Sequence, residues 1–288
     1  MTKTLSNIIA LVVSVVAVHI TYIGYIRPQA SLVLEASRQA GQSAPRHLVV
    51  ILKDYEQEIC LILMLWGMFL ILGKCLAILR EQYLFSVDLL EEPAQEPEEA
   101  AEGEAAEDSP GEFHGLSSAL KTLETLPPDI RETPLVKTLM TSLRRFLITQ
   151  DVQNTSDAIE SSVEALALKQ DAENSMIRYL IWAIPSIGFI GTVRGIGQAL
   201  SQADQALAGD IAGMTESLGI AFNSTLVALL ISIALMFMLH QLQRLQDNLV
   251  VDTQDYCEAF LLNRISKGGD DAHPVKLESS PSLSVGRN

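Results

Sequence analysis

The sequence predicts an all-α integral membrane protein with four transmembrane helices, the inner two prolonged as long helices that protrude into the cytoplasm. Three observations carry that reading. Hydrophobic residues make up 48% of the 288, and mean hydropathy is +0.25. That apolar content is gathered into four blocks, each nearly free of Asp, Glu, Lys and Arg. The polar segments that flank the third and fourth blocks carry apolar residues at helical spacing. A block of about 21 residues at 1.5 Å rise reaches roughly 30 Å, the thickness of the hydrocarbon.

The first block runs from about Leu5 to Ile26 and contains no charged residue. Only Lys3 precedes it, its apolar part is longer than the core of a leader peptide, and no small-residue cleavage pattern closes it between Ile26 and Leu34. A retained helix is therefore expected. Its His19 fits an interhelical or interfacial hydrogen bond rather than an ion relay. Residues 27–58 read as an external loop. The second block, Ile59 to Leu79, holds only Lys74, whose stem is long enough to snorkel to the cytoplasmic face. Residues 1–80 thus form an outer helix pair.

Residues 81–120 read as an acidic, disordered linker. There is no Lys or Arg from Glu81 to Leu120, and the Pro/Glu/Ala tract from Glu91 to Glu112 is a main source of the net charge of -15. Such a tract cannot bury a core. Without clustered Lys and Arg the chain also lacks what phosphate contacts need, so nucleic acid is excluded as a partner.

Residues 121–178 are expected to be a cytoplasmic helical region. Pro127, Pro128 and Pro134 break the chain, Thr133 is placed to cap the helix after it, and Leu135, Leu139, Leu143 and Leu147 recur every four residues. From Ser156 to Arg178, the apolar Ile159, Val163, Leu166 and Ala167 predict one helix feeding the third span, Tyr179 to Leu200. The fourth span, Leu218 to Leu239, is uncharged. Beyond it Leu242, Leu245, Leu249, Tyr256 and Phe260 continue a helical face, so residues 241–288 read as a cytoplasmic extension with a loose tail after Lys267.

Loop charge sets the orientation. Ser201 to Glu216 has no Lys or Arg and three acids, Asp204, Asp210 and Glu216, which places it outside. Arg80, Lys169, Arg178, Arg244, Arg264, Lys267, Lys276 and Arg287 mark the cytoplasmic side. Arg27, Arg38, Arg46 and Lys53 run against the rule in the first external loop, but four spans keep both termini cytoplasmic. Cys60, Cys75 and Cys257 offer neither a disulfide framework nor metal spacing. No H-E-x-x-H, P-loop or G-x-S-x-G motif is present, so neither an enzyme nor a cofactor is expected.

The most informative stretch is Ile184 to Leu200, IPSIGFIGTVRGIGQAL. Hydrocarbon offers no water to a backbone or a charge, so Pro185, Thr192 and Arg194 at that depth must face a protein interior or an aqueous path. Gly188, Gly191 and Gly195 share a face with Ala199 within about 80° of arc, a stripe suited to close helix packing. In the fourth span Ala221, Thr225, Ala228 and Ser232 align, with Ser217 and Ser224 beside them. A lone membrane Ser or Thr commonly bonds its own i-4 carbonyl. Two small-residue faces, each with a Thr, fit a narrow polar path better. Hydroxyls there can replace part of a cation's hydration or order a water chain, although they cannot hold a titrating proton near neutral pH. Arg194 lies about 200° around the helix from Thr192, so it is read apart from that path. Arg194 and Glu216 are charge-site candidates: the guanidinium should reach the outer interface or pair with an acid such as Glu216.

The proline-led GFIGTVRGIG followed by a loop and GIAFNSTLVALL resembles the MotA/TolQ/ExbB proton-channel family over about Glu173 to Leu239. The resemblance implies that residues 179–240 are a channel-forming pair whose ion pathway is lined by Thr192 and Thr225, with Ser224 adjacent, and that Gly188, Gly191, Gly195, Ala221 and Ala228 pack its core. It also implies a homopentamer around a dimer of a single-span MotB/TolR/ExbD-like partner with a membrane Asp, working in the bacterial inner membrane and spending ion flow on envelope work. Four spans and the large segment after the second are more similar to the flagellar stator branch. Two positions depart from the pattern. Arg194 stands where an aromatic or apolar residue is common, and Ile220 stands five residues before Thr225, where the TolQ and ExbB type has a functional Glu. H⁺ is the expected ion, with Na⁺ open. The reading from another class is a non-conducting membrane scaffold with the same fold; a secondary transporter fits worse, because no inverted repeat is seen.

Overall fold

The computed structural model describes residues 2–39, 47–82, 111–209 and 211–262, and among them there is no strand. In chain order the helices are α1 (Thr2–Thr21), a π-helical turn (Tyr22–Ile26), α2 (Arg27–Gln39), α3 (Leu48–Ile51), α4 (Tyr55–Gln82), α5 (Gly111–Thr125), α6 (Pro128–Arg131), α7 (Pro134–Thr149), α8 (Val152–Glu173), α9 (Ser175–Ser201), α10 (Ala203–Leu207), α11 (Ala212–Tyr256) and a second π turn (Cys257–Leu262). Four stretches are long and apolar enough to cross a membrane: Leu5–Ser37, Tyr55–Gln82, Val152–Ser201 and Ala212–Ala259. The all-α membrane fold with four spans and long inner helices is thus the observed one. The 45 residues of α11 extend about 68 Å at 1.5 Å per residue, more than twice the hydrocarbon thickness.

The helices depart from the sequence reading at several places. The first helix does not stop at Ile26; the π turn carries it into α2, which ends at Gln39. Gly111–Thr125 is helical, so the last part of the expected linker belongs to α5; residues 83–110, with most of the Pro/Glu/Ala tract, lie outside the described residues. Thr133 does occupy the N-cap position of α7, but its hydroxyl turns back to donate to Ile130 O at 2.7 Å and caps nothing.

The chain divides into two compact units. The first holds the described residues of 1–80 and 169–247. In it α4 is the central contact. On one side Trp66 Nε1 donates to Asn7 O at 3.2 Å, and His19 and Arg27 meet Glu58. On the other side Gly67 lies where a Cβ would touch Leu180 and Leu235 at 3.4 Å. The outward faces of α1, α9 and α11 are apolar and exposed: Val12, Val16, Trp182, Phe189, Val193, Phe222, Leu230 and Phe237 among them. Faces of that kind are stable only against lipid or a neighbouring chain.

The second unit holds the described residues of 81–168 and 248–288. Leu123, Leu135, Val136, Leu139, Leu143, Phe146, Ile159, Val163, Tyr256 and Cys257 form its core. Three of the four leucines read at four-residue spacing are fully buried, and Leu147 is partly so. Cys257 is fully buried in that core, so it acts as an inert apolar group.

Candidate functional site

The site is built by the contact of α9 with α11. Pro185 lies inside α9. Lacking an N–H, it cannot satisfy the carbonyl one turn back, that of Ile181. Ser232 of α11 donates to that oxygen at 2.9 Å, so the proline's deficit is met from the neighbouring helix. One turn further, a Cβ on Gly188 would stand 2.5 Å from Ala228 Cβ, and one on Gly195 would stand 2.7 Å from the Ala221 backbone nitrogen. Neither fits. Gly188, Gly195, Ala221 and Ala228 therefore let the two backbones touch, the packing that small-xxx-small patterns allow.

Between those contacts the two helices bring Thr192 and Thr225 together. Their Oγ1 atoms form a short hydrogen bond. Thr192 Oγ1 is also 3.2 Å from Gly188 O and 3.1 Å from Ala221 O, while Thr225 Oγ1 is 3.3 Å from Gly188 O. Two hydroxyl protons thus face two backbone carbonyls and each other. Both donors are used within the subunit, and what the pair still offers is lone pairs, the chemistry of a cation or a donating water. Both residues are half-buried.

Ser224 does not join them. It faces α4, donates to Ile220 O at 2.9 Å and accepts from Gln57 Nε2 at 3.3 Å. Gly191, in turn, makes room for that contact: a Cβ there would stand 2.6 Å from Ser224 Oγ and 3.1 Å from Glu56 Cγ.

The charged candidates find other partners than each other. Arg194 makes a bidentate pair with Glu56, Nε to Oε1 at 2.7 Å and Nη2 to Oε2 at 2.8 Å, and lies 3.7 Å from Asp54. Glu216 instead meets Lys53 Nζ at 2.8 Å. An acid does pair with Arg194, as one of the two expectations had it, but it is Glu56 rather than Glu216, because α4 begins four residues before the apolar block, at Tyr55, and turns Glu56, Gln57 and Glu58 inward. Glu58 accepts from Arg27 Nη2 at 2.6 Å and meets His19 Nδ1 at 2.6 Å, which gives His19 the interhelical bond expected of it. Outside the helix, burial pushes the Asp54 carboxyl above its usual range against the opposite pull of Lys53 and Arg194. Lys74 meets Glu173 Oε2 at 3.0 Å.

Glu56, Gln57 and Glu58 are the residues that sequence reasoning missed, having been assigned to a loop. A signal existed. Glu56 and Glu58 fall in the first turn of a helix, where carboxylates complement the dipole, and an uncompensated Arg194 in the third span required an acid from somewhere.

Compared with known proteins, residues 131–255 match the MotA/TolQ/ExbB proton channel family. That segment includes the Thr pair and Arg194 and excludes α1 to α4. No curated protein and no solved structure matches the chain.

Proposed function

We propose, from the match of residues 131–255 to the MotA/TolQ/ExbB proton channel family, that this chain is the ion-conducting subunit of an inner-membrane complex that converts an ion gradient into mechanical or conformational work. In this reading both termini are cytoplasmic, five copies surround a dimer of a single-span partner whose membrane Asp carries the ion, and H⁺ is the ion, with Na⁺ the alternative. One observation carries it: Thr192 and Thr225 meet across the α9–α11 contact with one proton held between their oxygens, the other facing the Gly188 and Ala221 carbonyls, and lone pairs left for a passing donor. The exposed apolar faces of α9 and α11 support a ring of copies.

The same internal hydrogen bonds favour a second reading, in which the Thr pair is only a clasp and the chain is a non-conducting scaffold. Flux into vesicles holding the complex, under separate H⁺ and Na⁺ gradients, separates the two. Thr192→Val and Thr225→Val keep shape and branching but lose the oxygen, at a cost of about 1 to 3 kcal/mol to a passing ion, or roughly 5- to 150-fold in rate. Asn223→Leu, about 160° from Thr225 on the same helix, should conduct nearly normally. Normal flux in both Thr variants would leave the scaffold reading standing.

A further inference from the structure

We infer that Gln57 Oε1, with Ser224 Oγ on the same amide and the Arg194-paired Glu56 side chain near that hydroxyl, forms a subsite for an oxygen-seeking monovalent cation, hydronium or Na⁺, which brings α4 into the ion path. The inference rests on the channel reading above and adds a residue that lies outside the family match.

The orientation of the Gln57 amide follows from Ser224. The Ser224 hydroxyl donates its one proton to Ile220 O at 2.9 Å, so toward Gln57 it has only lone pairs to offer. The amide must therefore present Nε2, at 3.3 Å, and that leaves Oε1 pointing elsewhere. Among the described residues Oε1 meets no donor. Gln57 is 1% exposed, buried within one subunit, so a side chain of a neighbouring copy does not reach it. Whatever satisfies this oxygen must be small enough to enter the interior of the helix packing, and it must donate a proton or carry positive charge.

The surroundings favour charge. Glu56 Cγ and Ser224 Oγ lie 3.1 Å and 2.6 Å from the point where a Cβ on Gly191 would stand, so the notch in α9 brings a carboxylate-bearing chain and a hydroxyl together. Arg194 neutralises Glu56, and the nearby Asp54 adds a second acid. The site thus offers a bare amide oxygen, the one lone pair that Ser224 Oγ keeps after accepting from Gln57 Nε2, and a neighbouring acid excess that favours an entering cation. Gly191 leads directly into Thr192, and Ser224 into Thr225. Those neighbours lie about 100° apart around each helix, so the subsite sits on the α4 side of the α9–α11 contact that holds the Thr pair.

The experiment compares the wild-type complex with Gln57→Leu, the unbranched Gln57→Met and Thr225→Val in vesicles, under H⁺ and Na⁺ gradients applied separately, with the thermal midpoint recorded on the same samples. Both Gln57 variants should lose at least tenfold in flux under the driving gradient, while the midpoint holds or rises, because an apolar side chain removes a buried bare oxygen. The gradient that is affected names the cation. If the Gln57 variants conduct normally while Thr225→Val fails, the subsite is wrong and the channel reading stands. If none of the three changes flux, both fall. A flux loss that tracks a lowered midpoint in both Gln57 variants would show the amide to be a packing element and would also overturn the subsite.

Discussion

The two compact units of this chain both bury apolar side chains, but among the described residues only the first also buries carboxylates. In the unit of 81–168 and 248–288, Leu123, Leu135, Leu139, Leu143, Ile159 and Tyr256 are inside and Arg144, Arg145 and Asp157 are outside. In the unit of 1–80 and 169–247, Glu56, Gln57, Glu58, Ser217 and Ser224 are inside, while Val12, Trp182, Phe189, Phe222 and Phe237 are outside. The difference teaches how solvent decides the meaning of a side chain. Against water, burying a leucine is the driving force. Against lipid it gains nothing, so close packing, hydrogen bonds and ion pairs hold the helices together.

The comparison breaks most sharply at Arg194. Arg194→Leu leaves Glu56, 8% exposed, as an unpaired buried carboxylate, and should lower stability by about 3 kcal/mol, at the low end for a broken buried pair because the guanidinium is partly exposed. The double variant Arg194→Leu/Glu56→Leu should regain most of that, as a thermal melt of the solubilised protein would show. A double variant no better than the single would mean that the pair is not what the melt reports.

In the other unit the corresponding test is a hydrophobic one. Leu139→Ala, at a fully buried position, should cost about 2 to 3 kcal/mol. It should speed hydrogen exchange across α5 and α7 and leave α9 as it was. Exchange that rises equally in α9 would contradict the separation of the two cores.

The smallest expected effect is at Ser232. Ser232→Ala removes the donor to Ile181 O and should cost about 1 kcal/mol. In a Pro185→Ala background, where the helix supplies its own N–H to that carbonyl, the same change should cost close to nothing. Equal costs in both backgrounds would show that Ser232 does not compensate the proline.

Much of this protein was legible from residue order. The four spans follow from length and apolarity, and the α7 core from leucines four apart, since both depend on periodicity within a segment. The small-residue faces of α9 and α11 were also visible, because the wheel that aligns Gly188 with Gly195, and Ala221 with Ala228, is a property of one helix. His19 could be assigned a hydrogen bond of the right kind, though not its partner.

What only the tertiary structure decided was who meets whom. Arg194 and Glu216 could be offered to each other as partners, yet each is claimed by a residue beside or within α4, because the helix starts early enough to present Glu56, with Lys53 just ahead of it. Ser224 looked like a companion of Thr225; one step of about 100° around the helix sends it to Gln57 instead. The sequence by itself determined the helices, their lengths and which residues each face carries, because local spacing and the hydrocarbon thickness leave little choice. It did not determine the pairing of faces across α4, α9 and α11. A buried ion pair or hydrogen bond is set by the distance between atoms more than a hundred residues apart, and no local pattern encodes that distance.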